Sequence, residues 1–402
     1  MAVAQNRVIF SLLDTPAFGG AEQYMFSHLS FLSKHGYEVV LATNNEVVRK
    51  EILSRLNAEE QKKFQVITAP YRLDAIGNWK GLVKYFLAAP YAIFWCGWIL
   101  FSLQKKYDET ICFFAGWSDR VTFSPIVNFF GSPLVWIEFG PLEPVFERNW
   151  GFPKVLFFLT KNLPNHFVTI SQWTMNSMIN TGRISRDKIA LIYPGIKSWT
   201  AKELTAYKKA GQVEFKKRKL NDSKVIGYIG RLASENQIDL LLRAFALLKE
   251  KKVKLLIIGA GPEKLLYQNL TKQLGIEKDV HFAGFVDEQL KLSLLSCCDL
   301  FVFPGAWKWE GFGITTIEVL SLGVPVITPD FGPQKEIIVN GISGLHFVPN
   351  DQKSLKEKMG ILLADATLRK KLAVAGQKRA QYFDEKKYLL KMKKVVDTVA
   401  KT

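Results

Sequence analysis

Trp309-Glu310-Gly311-Phe312-Gly313-Ile314-Thr315-Thr316-Ile317-Glu318, continued by Val319-Leu320-Ser321-Leu322-Gly323-Val324-Pro325-Val326-Ile327, is the stretch that decides the fold. An apolar strand-like run, Leu300–Phe303, stands ahead of it. A glycine-containing loop follows, then a helix, then a second strand-like run at Pro325–Thr328. Strand, helix and strand in that order make a parallel unit. At the helix start the backbone N–H groups of Gly313, Ile314 and Thr315 have no partner inside the helix, and the helix dipole favours an anion such as a diphosphate there. Glu318, one turn in, is placed to accept hydrogen bonds from ribose hydroxyls, and Glu310 to meet the hydroxyls of a sugar. Two glutamates at this spacing also occur as a helix cap and a solvated face residue. Gly311, Gly313 and the trailing Gly-Val-Pro-Val-Ile tip the reading toward binding.

The same rhythm runs outward in both directions. Strands are expected at Val8–Leu13, Glu38–Ala42, Phe64–Thr68, Thr110–Phe114, Leu134–Ile137, Phe167–Ile170 and Ile189–Ile192. After a lysine-rich stretch, Lys197–Lys224, they resume at Val225–Ile229, Lys254–Ile258, Val280–Phe282, Leu300–Phe303, Pro325–Thr328 and Leu345–Val348. Helical patterns fall between them: Gly20–Lys34, Ile238–Lys249, Glu263–Leu274, Glu288–Ser296 and Ile317–Leu322. Alternation of this kind means α/β with parallel sheets. The expected organisation is a Rossmann-like domain over 1–200, a second over 201–380, and a basic amphipathic helix within 381–402 that returns toward the first domain. Ligands are expected at the C-terminal ends of the strands, facing a central cleft.

The quoted passage resembles the donor-site signature of the retaining glycosyltransferases of family 4 (glycosyl transferases group 1), and the resemblance covers nearly the whole chain. It implies the GT-B architecture of two facing Rossmann-like domains. It also implies transfer of a hexose-type sugar from a nucleotide-diphosphate-sugar with retention of configuration. Its N-terminal mark is Phe18-Gly19-Gly20-Ala21-Glu22, where glycines let the backbone approach a phosphate or sugar. Its next is Gly230-Arg231-Leu232-Ala233-Ser234-Glu235-Asn236-Gln237. In the family this arginine and a lysine five residues later neutralise the donor diphosphate. Here Arg231 is present and the lysine position holds Asn236, so one positive charge is missing, with Lys308 or Lys335 as possible substitutes. Phe282-Ala283-Gly284-Phe285-Val286 corresponds to the region that frames the base, although a phenylalanine at a strand end is also ordinary core. Family members usually carry a histidine near the transferred sugar. This chain has Val135-Trp136-Ile137-Glu138-Phe139-Gly140-Pro141, which makes Glu138 an acceptor-side candidate and Asp119 another, a structural role being the alternative for either. The resemblance therefore implies Glu310, Arg231 and Glu138 as catalytic residues. Gly19, Gly20, Arg231, Asn236, Phe285, Glu310, Gly311, Phe312, Gly313, Ile314, Thr315 and Glu318 would bind the donor.

Composition narrows the setting. Of 402 residues 48% are hydrophobic and 23% charged, which argues against disorder. The net charge is +17, carried mostly by the second half. No nucleic-acid-binding motif accompanies it, so the charge points to an anionic membrane or a diphosphate, a generally basic surface kept soluble by like charge being the alternative. Tyr85–Leu103 has no charged residue and is flanked by Lys80, Lys84, Lys105 and Lys106. Its place between two strands of one sheet, and Pro90 within it, favour a helix lying in a membrane interface over a span, a buried helix being the alternative. Four cysteines show neither a disulfide framework nor metal spacing, and neither metal nor cofactor is expected, the nucleotide-sugar being a substrate. The expected location is cytoplasmic and peripheral on the inner face of the membrane, the acceptor being lipid-linked or a membrane-proximal glycan. Competing readings are a non-catalytic or weakly active sugar-nucleotide-binding scaffold and a nucleotide-sugar epimerase of the same fold. A dehydrogenase is disfavoured, because no Gly-x-Gly-x-x-Gly follows a strand.

Overall fold

Two all-parallel sheets organise the chain in the computed structural model, which describes residues 6–13, 19–73, 79–148, 151–248, 250 and 252–400. The first sheet holds β1 (Arg7–Leu12), β2 (Glu38–Thr43), β3 (Phe64–Thr68), β4 (Glu109–Phe114), β5 (Leu134–Glu138), β6 (His166–Thr169) and β7 (Ile189–Leu191), in the order β3-β2-β1-β4-β5-β6-β7. The second holds β8 (Lys224–Ile229), β9 (Val253–Ile258), β10 (Val280–Gly284), β11 (Leu300–Val302), β12 (Val326–Pro329) and β13 (Leu345–Phe347), in the order β10-β9-β8-β11-β12-β13. Each expected strand is present, with its ends within two residues of those expected. The central strands are unbroken apolar runs such as Val8-Ile9-Phe10 and Leu255-Leu256-Ile257, fully buried because helices cover both faces. In each sheet the order reverses beside its first strand, between β1 and β4 and between β8 and β11. Such a reversal opens a crevice at the C-terminal strand ends.

By compactness the chain divides into Met1–Pro194 with Lys386–Thr402, and Gly195–Glu385. The connections at 195 and 385 run side by side, where Ile196 N–H donates to the Phe383 carbonyl at 2.9 Å and Glu385 N–H to the Ile196 carbonyl at 3.1 Å. A Cβ on Gly195 would stand 2.5 Å from the Glu385 Cα, so glycine is required there. The terminal helix Glu385–Val399 buries Tyr388, Met392, Val396 and Val399. Its Tyr388 hydroxyl donates to the Tyr24 carbonyl at 2.9 Å, and Tyr37 donates to Asp397 at 2.6 Å, which ties the helix to the first unit.

Two helical regions depart from the sequence reading. The lysine-rich stretch, for which no helix was expected, holds one at Ala201–Lys217, packed on Glu288–Ser296. A Cβ on Gly211 would overlap the Ser293 carbonyl oxygen. Gly211→Val should therefore cost about 1–3 kcal/mol, read as a lower urea midpoint. The apolar segment is longer than Tyr85–Leu103 and runs unbroken through Pro90 as the helix Trp79–Lys106. Its inner stripe is Tyr85, Ala89, Ala92, Cys96, Leu100 and Leu103, spaced three and four apart. Its other face leaves Phe86, Leu87, Tyr91, Phe94, Trp98 and Phe101 exposed.

Candidate functional site

In the second unit the loops leaving β8 and β11, adjacent parallel strands, meet at one rim of the sheet. The β8 loop starts at Gly230-Arg231. It is held from behind by the β9 loop, where Leu232 N–H donates to the Ala260 carbonyl at 2.9 Å and Glu263 N–H to the Leu232 carbonyl at 3.0 Å. Cβ atoms on Gly259 or Gly261 would overlap the Gly230 and Leu232 carbonyl oxygens, which explains the Gly259-Ala260-Gly261 sequence. The two rim loops are joined directly. Ala306 N–H donates to Gln237 Oε1 at 3.0 Å, and a Cβ on Gly305 would stand 3.4 Å from the Glu235 carbonyl oxygen.

On this frame Arg231 projects with its side chain 68% exposed and its guanidinium 3.6 Å from Glu235. Asn236 turns inward, Nδ2 donating to the Arg231 carbonyl at 2.7 Å, so the position that would carry a second cation fastens the loop. Of the substitute cations, Lys335 pairs with Asp330 at 3.1 Å and Lys308 lies exposed in the turn ahead of Glu310.

The β11 loop carries Glu310, whose Oε1 accepts from Phe312 N–H at 3.4 Å. Enclosure by protein pushes the Glu310 carboxyl above the usual carboxylate range, and the Phe312 N–H only partly opposes this. Gly311 is buried. The Phe312 ring is buried edge-on against Phe383 at 5.5 Å, so it anchors the loop and leaves only backbone for a ligand. Gly313 caps the helix Ile314–Ser321 at φ +107°, a left-handed conformation that favours glycine. The helix thus begins three residues earlier than the sequence reading set it. The first-turn N–H groups of Ile314 and Thr315 lie ahead of any intrahelical acceptor.

Glu318 is not free at the next turn. Lys291, from the helix Glu288–Ser296, places Nζ 3.1 Å from Glu318 Oε2 and 2.8 Å from Glu288 Oε2. Burial raises the Glu318 carboxyl, Glu288 adds to that, and Lys291 pulls against both. Burial works against the Lys291 charge, but the two carboxylates outweigh it and leave the ammonium more basic than usual. Lys291 went unnoticed in the sequence, where only its place in an amphipathic helix marks it. Phe285, just past Gly284 at φ +74°, is 86% exposed, which sets aside the core alternative and presents a flat apolar face beside the rim.

In the first unit Gly19, extended at φ −129°, caps the helix Gly20–Lys34, and its N–H donates to the Glu22 carboxylate at 2.9 Å. Phe18 lies outside the described residues. Glu138 ends β5 almost fully buried, 2.5 Å from the guanidinium of buried Arg120, which lies over the Trp136 ring. A carboxylate engaged in this way has a structural occupation, and its partner could not be read from sequence because Arg120 belongs to the preceding β/α unit. Asp119 is also buried, in the first turn of the helix Trp117–Phe129, beneath Gly116. Among the described residues no group of three or more His, Cys, Asp or Glu side chains is arranged to hold a metal ion.

Residues 211–379 match the family model of glycosyl transferases group 1. An uncharacterized glycosyltransferase of Methanocaldococcus jannaschii is 24% identical over 75% of this chain and 81% of its own length. A capsular polysaccharide biosynthesis glycosyltransferase of Staphylococcus aureus is 32% identical, but over only 40% of this chain and 42% of its own. The crystal structure of Anabaena HepE in complex with UDP matches with a TM-score of 0.77 at 17% identity, over 98% of this chain and 100% of that one. The same protein has also been solved with UDP-glucose. The shared fold is GT-B, with two Rossmann-like domains.

Proposed function

We propose that this chain, a GT-B glycosyltransferase whose second domain belongs to glycosyl transferases group 1, moves a hexose-type sugar from a nucleotide-diphosphate-sugar to a lipid-linked or membrane-proximal glycan with retention of configuration. The observation that carries the donor side is the rim formed by the β8 and β11 loops, where Arg231, Glu310 and the helix start at Gly313 share one edge of the sheet. In this reading the leaving diphosphate lies against the amides after Gly313 and is clamped by Arg231. Preorganised groups aimed at developing charge are a large source of rate enhancement. Glu310 takes the sugar hydroxyls. Glu318, oriented by Lys291, keeps oxygen lone pairs for the ribose, and Phe285 offers a face for the base.

The acceptor side rests on the outer face of the helix Trp79–Lys106. Phe94 is 74% exposed and Trp98 58% on that face. Phe86 of the same helix meets Phe152 with ring centroids 5.5 Å apart, extending the apolar surface onto the helix Phe152–Thr160, where Leu159 is 72% exposed. By length and composition Lys80–Lys106 is the one helix among the described residues able to cross a membrane. Its buried stripe supports a helix lying in the interface, with lysines at both ends on anionic headgroups. Phe94→Ser with Trp98→Ser should sharply reduce flotation with anionic vesicles. Unchanged flotation would remove the membrane from the account.

The reaction itself is tested by incubating the full chain with labelled nucleotide-sugars and a membrane extract. Label should enter the lipid-extractable or glycan fraction with the donor's anomeric configuration. Inverted product, or hydrolysis alone, would overturn the proposal.

A further inference from the structure

Gln334 opens the short helix Gln334–Ile337 and is 1% exposed. Its Oε1 accepts a hydrogen bond from the Thr316 hydroxyl at 3.0 Å, which fixes the carboxamide on the first turn of the helix Ile314–Ser321. Its Nε2 is buried and has no hydrogen-bond partner. That nitrogen lies against Gly313, so close that a Cβ there would overlap it. A buried amide nitrogen with two unused N–H groups is rare in folded proteins and calls for an acceptor. The helix start beside it is where an anion is favoured.

We propose that Gln334 is a donor-site residue whose Nε2 donates to an anionic oxygen of the nucleotide-sugar's diphosphate once it is bound at Gly313–Thr315. This rests on the donor reading above and adds to it a group reaching the phosphate from behind the loop. Gly313 then serves twice. Its left-handed backbone turns the chain into the helix, and its missing side chain leaves the gap through which the carboxamide reaches forward. Thr316 acts as the positioning residue, holding the oxygen end so that the nitrogen end faces the ligand. Bonds to a charged acceptor are the stronger kind, so the effect should be measurable.

The test titrates the full chain with UDP, GDP, ADP and TDP, and with the matching monophosphates, for the wild type, Gln334→Met and Gln334→Glu. Methionine keeps the volume and removes both polar ends. Glutamate keeps the acceptor for Thr316 and replaces the N–H donor with a carboxylate, so it separates ligand contact from loop support. Gln334→Met should weaken the diphosphate by about tenfold or more and Gln334→Glu by more than that, with monophosphate affinity little changed. Thermal melting of each variant reports whether it is folded. A folded Gln334→Glu that binds the diphosphate as the wild type does would overturn the proposal, and so would equal losses for diphosphate and monophosphate. A wild type that binds none of the four diphosphates overturns the donor reading as well, whereas unchanged binding by the variants overturns only the role of Gln334.

Discussion

Replacing Glu310 with glutamine should reduce sugar transfer by about 100-fold or more while leaving nucleoside diphosphate binding intact and the fold at least as stable. The first half follows from position. Glu310 sits on the rim loop ahead of the helix start, where the proposed donor reading puts the sugar rather than the nucleotide. Glutamine preserves the shape and loses the charge that, in that reading, orients sugar hydroxyls in the transition state. The second half follows from linkage. Enclosure raises the folded-state carboxyl above its unfolded value, so the protonated form is the one that folding favours. Stability from this group is therefore fully present below the unfolded pKa and is lost as pH rises through the raised folded value. At neutral pH the wild type holds a charge that the fold disfavours. Melting curves from about pH 4 to pH 8 should show the variant gaining on the wild type as pH rises. A variant less stable at neutral pH would mean that the carboxylate holds the loop together, and full activity would remove Glu310 from the chemistry.

Arg231→Ala should weaken nucleoside diphosphate binding by about 10- to 100-fold, with a smaller effect on the monophosphate. The magnitude is that of one charge-assisted contact. Asn236 brings no second cation and fastens the Arg231 carbonyl instead. The side chain is exposed and its ion pair with Glu235 is long at 3.6 Å, so its removal should leave the melting temperature nearly unchanged. Wild-type binding should fall with added salt, and that dependence should be shallower in the variant. Equal affinities in wild type and variant would move the phosphate away from the β8 loop.

Most of the fold was legible because its strands are short, largely apolar runs bounded by polar turns. What was missed was hidden by composition. The helix Ala201–Lys217 buries only Gly211 and Phe215, too few to mark a stripe, although Thr200 with Glu203 forms the capping box that announces it. Pro90 suggested an interruption, yet the helix Trp79–Lys106 runs through it. The site divides along the same line. Glu310, Gly311 and Gly313 lie in one local stretch that could be read directly, as could Arg231 and Asn236. Lys291 and Gln334 reach the same helix from other β/α units, and nothing in linear sequence pairs Lys291 with Glu318 or Gln334 with Thr316. Glu138 is an acceptor-side candidate on sequence, and its ion pair with Arg120 is invisible there because Arg120 lies on a different element. Phe285 was ambiguous on sequence, since strand-end phenylalanines are buried as often as not, and only its exposure decides.

Calorimetric titration of the full chain with UDP, GDP, ADP and TDP is the most direct test of the donor site. At least one should bind with a Kd of about 1 μM to 1 mM, the usual range of enzyme KM values, and Arg231→Ala should weaken it. Failure of all four to bind, or binding that Arg231→Ala leaves unchanged, would contradict the assignment of the β8–β11 rim as the nucleotide-sugar site.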